Sequence, residues 1–154
     1  MINELIQFMA ILLLMLVTGI FWGPWFALHR SMKVFSKEEF IHIVKTMSAN
    51  LVVPMRVLMP CCILFVLLSV LNYPQKDNFG FNLLVISFLL ILVSLIITML
   101  VEVPIVKQIE KWTPSTVPSN MEAIQNRWLK FHVIRTFAAI ISFASFITSM
   151  LFFH

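Results

Sequence analysis

From Phe81 to Val101 the sequence reads FNLLVISFLLILVSLIITMLV, with no charged side chain, and the next residue is Glu102. A helix needs roughly 20 apolar residues to cross a hydrocarbon core of about 30 Å, so this run is a membrane span that ends on a carboxylate. Three more runs of the same kind flank it. The first reaches from about Leu5 to Leu28 and closes in the aromatic group Phe21, Trp22, Trp25 and Phe26, with Gly23-Pro24 permitting a kink. The last is about Val133 to Phe152. Between them, Ser36-Lys37-Glu38-Glu39 has the serine-to-glutamate spacing of a capping box, which predicts one long helix from Lys37 to Leu71, bent near Pro54 or Pro60. Asn72 to Asn78 and Trp112 to Pro118 read as loops. A second serine-to-glutamate spacing, Ser119 to Glu122, predicts the start of the fourth helix.

The expectation is therefore an all-α, four-helix integral membrane bundle in one domain over residues 1–154, with helices two and four extended on one side. Composition agrees, since 60% of the residues are hydrophobic and only 12% charged, which no ordinary soluble domain shows. The net charge of +4 does not point to nucleic acid, because the basic residues flank the apolar runs and so face membrane lipids. Cys61 and Cys62 are neighbours in an apolar run; they point apart in a helix and read as packing residues. Near Glu4 there is no basic stretch of the kind a signal peptide carries, so the first span is read as retained. Along the last span Ala138, Ser142, Ser145 and Ser149 form a small-residue stripe that lets another helix approach, in the same chain or in a homo-oligomer.

Lysine and arginine are counted to set the orientation. Arg30, Lys33, Lys37 and Lys45 lie between spans one and two, and Lys107, Lys111, Arg127 and Lys130 between spans three and four; the remaining loop has only Lys76. By the positive-inside rule both long connections face the cytoplasm of a bacterial-type cell and both termini face outward.

That topology puts His29, Asn50, Arg56, Glu102, His132 and Arg135 at one membrane boundary. Trp128, His132 and Arg135 follow each other at helical steps of four and three, hence on one face. Titratable groups at this depth pair with one another or line a functional pathway. A plain alternative exists for each: arginine stems reach lipid phosphates, and a Glu102–Arg135 ion pair can simply tie two helices. His42 and His154 read as solvated, without a role.

If the cluster is chemical, His132, polarised by Glu102, acts as general base on a lipophilic phenol or enol, Arg135 or Arg56 stabilises the oxyanion, and Trp128, Arg56 and Asn50 bind the substrate. No organic cofactor is needed, because the resulting carbanion reacts with oxygen directly. The alternative is a metal or haem protein, with His29, His132 and Glu102 as iron ligands or the two histidines on haem. Outside enzymology, the same cluster would serve a binding protein for haem, a metal, a quinone or lipid, or a small subunit of a complex.

The segment Val101-Glu102-Val103-Pro104-Ile105, then Trp112, then Arg127-Trp128-Leu129-Lys130-Phe131-His132-Val133-Ile134-Arg135-Thr136 resembles the anthrone oxygenase-like family of small membrane proteins, with Gly19-Ile20-Phe21-Trp22-Gly23 also compatible. The resemblance implies four transmembrane helices and, from a few members, oxidation of anthrones to anthraquinones or related polyketide chemistry. It carries over to Trp128, His132 and Arg135. Where members often have asparagines around the helix-three proline, this chain has Glu102 and Lys107.

Overall fold

The computed structural model describes residues 1–29, 31–113 and 115–153, which leaves Arg30, Pro114 and His154 outside the described residues. Every described element is helical: α1 Ile2–Leu28, α2 Lys37–Leu71, α3 Phe79–Ile97, a π-helical turn Thr98–Glu102, α4 Val103–Glu110 and α5 Met121–Phe152. Four helices, with α3, the π turn and α4 counted as one, are long and apolar enough to cross a membrane.

The capping box of α2 forms as its sequence predicts. Glu39 N–H donates to Ser36 Oγ at 3.3 Å, and Ser36 N–H to Glu39 Oε2 at 2.7 Å. The helix passes through both Pro54 and Pro60 without ending. The second capping box does not form. Here α5 begins at Met121 with Asn120 as its N-cap and no side-chain cap, so Glu122 stands one position too early to reach back.

Helix α5 packs against α3 and α1, α1 against α2, and α2 against α3, which closes a ring of four. The α3–α5 seam is polar and tight. Ser142 Oγ donates to Ser87 O at 2.8 Å, Ser149 Oγ to Gly80 O at 2.7 Å and Ser94 Oγ to Arg135 O at 3.0 Å. Ala138, Ser142 and Ser149 are buried there, with Ser145 half-buried, so the small-residue stripe serves this chain's own core. Small side chains let the backbones approach closely enough for these bonds. Gly80 marks the limit, since a Cβ there would run into Tyr73 Oη and Phe153 Cβ.

Two apolar cores lie end to end. One fills the spans around Leu14, Phe21, Met59, Leu84, Ile91 and Phe146. The other sits at the basic end, where Phe40, Val44, Ile105, Ile109, Trp112 and Trp128 meet. Lys45 Nζ donates to Trp112 O at 2.8 Å, and Gln125 Nε2 to Met32 O at 2.8 Å, tying both connections to this second core. Cys61 and Cys62 are free thiols, Cys62 within the first core.

Candidate functional site

The π turn is what brings the carboxylate into the bundle. Along α3 to α4 the buried residues are Gly80, Leu84, Ser87, Ile91, Ser94 and Ile97, then Glu102, Ile105 and Ile109. Steps of three and four keep one face of an α-helix inward; the single step of five, from Ile97 to Glu102, falls on the π turn. Val103 N–H closes it by donating to Thr98 O, five residues back. The wider turn absorbs one extra residue, so Glu102 returns to the face that meets α5. Turns of this type recur at functional sites.

On α5 the helical steps do the rest. Arg135 Nη2 lies 3.2 Å from Glu102 Oε2, Nη1 donates to Thr98 Oγ1 at 3.2 Å, and Nε and Nη2 reach His132 Nδ1 at 3.3 and 2.9 Å. The guanidinium also stands 4.6 Å over the Phe21 ring of α1, a cation–π contact worth about 0.5–2 kcal/mol. The rings of His132 and Trp128 stack at 6.0 Å and 22°, and Phe40 meets Trp128 edge-on. Glu102 is only 2% exposed and His132 5%.

This geometry changes the part assigned to His132. Its Nδ1 faces the guanidinium, not Glu102. Because a guanidinium can only donate, Nδ1 must accept, and the ring carries its proton on Nε2. His132 Nε2 has no hydrogen-bond partner, nor does the Trp128 indole nitrogen, and neither carboxylate oxygen of Glu102 meets hydrogen-bond geometry. Trp128 is nonetheless an electrostatic neighbour of that carboxylate. The cluster thus presents two buried N–H donors without a hydrogen-bond partner beside a buried carboxylate held by the Arg135 ion pair, and a protein interior rarely leaves buried donors so.

The other sequence candidates fall differently. His29, half-buried at the end of α1, is an electrostatic neighbour of His132, and its Nδ1 is also buried without a partner. Burial and Lys33 hold its imidazole below the ordinary range. Asn50 and Arg56 are exposed on α2 and take no part in these contacts. Among the described residues no three His, Cys, Asp or Glu side chains come together in a group able to hold a metal ion. Arg135 explains why for His132 and Glu102: its guanidinium already fills the place of a cation between them.

Thr98 was missed in the sequence. The available signal was Ser87, Ser94 and Thr98, hydroxyls at steps of seven and four in an otherwise apolar span. A groove of about 300 Å³ lined by Met15, Thr18, Gly19, Trp22, Ile140 and Phe143 opens between α1 and α5, beginning one residue from Phe21.

The sequence model of anthrone oxygenase matches residues 46–145, most of the chain. The chain belongs to the anthrone oxygenase family. The matched region of this anthrone oxygenase family member contains Thr98, Glu102, Trp128, His132 and Arg135; it leaves out the whole of α1, with Phe21, and His29 after it. Comparisons with curated proteins and with solved structures give no match.

Proposed function

We propose that the protein is a membrane oxygenase that acts on a lipophilic phenol or enolisable aromatic ketone without an organic cofactor. The observation that carries this reading is a buried cluster in which Glu102, ion-paired with Arg135, shares the site with two N–H donors, on Trp128 and His132, that have no hydrogen-bond partner. Glu102 takes the proton from the acidic C–H or O–H of the substrate. His132 Nε2–H and Trp128 Nε1–H donate to the substrate oxygen on which charge develops, and Arg135 balances the field of the carboxylate and holds the His132 tautomer.

The carbanion or enolate reduces molecular oxygen by one electron, the two radicals combine to a peroxide, and loss of water leaves a ketone. Overall, one methylene and one O2 become one carbonyl and one water. Asn50 and Arg56, exposed at the level of the site, are left out of this mechanism.

The basic end is assigned to the cytoplasm, so the site stands at the inner membrane face and takes its substrate from the bilayer. The test is an anthrone oxidation assay on protein in nanodiscs, following oxygen uptake and quinone absorbance. Glu102→Gln is expected to lower kcat by about 10²- to 10⁴-fold, the usual worth of a positioned base, with the helix content unchanged. Wild-type kcat in Glu102→Gln would overturn the reading, and so would a Soret band or stoichiometric iron that disappears in His132→Ala.

A further inference from the structure

Thr98 has two hydrogen bonds that constrain one another. Its Oγ1–H donates to Ser94 O at 2.8 Å, within its own helix. With the hydrogen committed there, the oxygen lone pairs face α5 and accept Arg135 Nη1 at 3.2 Å. The backbone carbonyl of the same residue closes the π turn. A guanidinium is a rigid planar fork, so fixing Nη1 fixes where Nε and Nη2 point, and here both point at His132 Nδ1.

We propose that Thr98 is a positioning residue which, through Arg135, determines which ring nitrogen of His132 carries the proton. Without its hydroxyl the fork turns to pair both nitrogens of one edge with Glu102, the favoured arrangement for arginine and a carboxylate. His132 Nδ1 is then uncovered, the tautomer with the proton on Nδ1 becomes accessible, and Nε2 turns from a donor into an acceptor. The proposal rests on the cluster being a reaction site only for its consequence in turnover.

The tautomer is read without substrate, by nitrogen NMR of protein labelled with ¹⁵N-histidine in micelles. The chain has 4 histidines, and the His132 signals are those lost in His132→Gln. Wild type is expected to show a protonated Nε2 and an unprotonated Nδ1. Thr98→Val, which keeps the shape and removes the hydroxyl, is expected to give a mixture of both tautomers, and Thr98→Ser to restore the single one. If Thr98→Val does not fold, Thr98→Cys, a weak acceptor of nearly the same size, takes its place with the same expected mixture.

An unchanged tautomer in the hydroxyl-free variant, or no restoration by serine, overturns the proposal. A second arm asks whether the effect runs through Arg135. In an Arg135→Lys chain, adding Thr98→Val is expected to move the His132 signals no further; an additional shift there would mean another route and would also overturn it. A failed oxidation assay with these tautomer results intact would count against the oxygenase reading alone.

Discussion

Glu102 and Arg135 form a buried ion pair between α3–α4 and α5, and such pairs behave asymmetrically when altered. Arg135→Met removes the cation paired with Glu102 and leaves a carboxylate that is 2% exposed; the expected loss is about 3–5 kcal/mol. Glu102→Gln leaves Arg135 with His132, Thr98 and the Phe21 ring and is expected to cost clearly less. The double variant Glu102→Gln/Arg135→Met should recover most of the Arg135→Met loss, because no unpaired charge remains. Thermal unfolding in a mild detergent decides it; equal, additive losses would show that the two groups do not depend on each other. These two residues and His132 were legible in the sequence, since ionisable groups at the base of apolar spans are rare. Asn50 and Arg56 were misplaced for a physical reason: hydropathy fixes a residue's depth in the membrane but not which way it faces around its helix. Thr98 was hidden because a threonine bonded to the carbonyl four residues back looks in sequence like any other span hydroxyl.

At the level of elements, α2 was predicted to its final residues, because a capping box starts it and the Asn72 to Asn78 turn stops it. The π turn was not. Its sign, one step of five in the buried face, can be seen only when the buried residues are known. It leads to an unusual expectation for single-residue deletions, each of which rotates the remainder of an α-helix by about 100°. Removing Leu100, which is 70% exposed within the wide turn, lets the turn relax to α-helix with Ser94 above and Glu102 below still facing α5. Removing Val93, 41% exposed in the regular part of α3, swings Ser94 and Thr98 out of the α3–α5 seam. The Leu100 deletion is therefore expected to elute as a single folded species with wild-type circular dichroism, and the Val93 deletion to aggregate or unfold. Equal damage from both would contradict the account of Glu102's placement.

Across the whole molecule, the second apolar core and the basic residues occupy the same end: Lys33, Lys37, Lys45, Lys107, Lys111, Arg127 and Lys130 belong to the connections that frame Phe40, Trp112 and Trp128. The opposite end offers Lys76 alone, in a short turn pinned by Tyr73 Oη donating to Phe153 O at 2.6 Å. Lysines near span ends are retained on the cytoplasmic side far more readily than they are moved across, and the orientation proposed above, with the Glu102–His132–Arg135 cluster toward the cytoplasm, rests on this asymmetry. The consequence can be measured in a chain with Cys61→Ala and Cys62→Ala, into which either Ser115→Cys or Lys76→Cys is introduced, both positions being exposed. A maleimide that cannot cross membranes is expected to label Lys76→Cys on intact cells and to label Ser115→Cys only after lysis. The reverse pattern would put the site at the outer face, where a substrate made inside the cell would have to cross the bilayer before reaching Glu102.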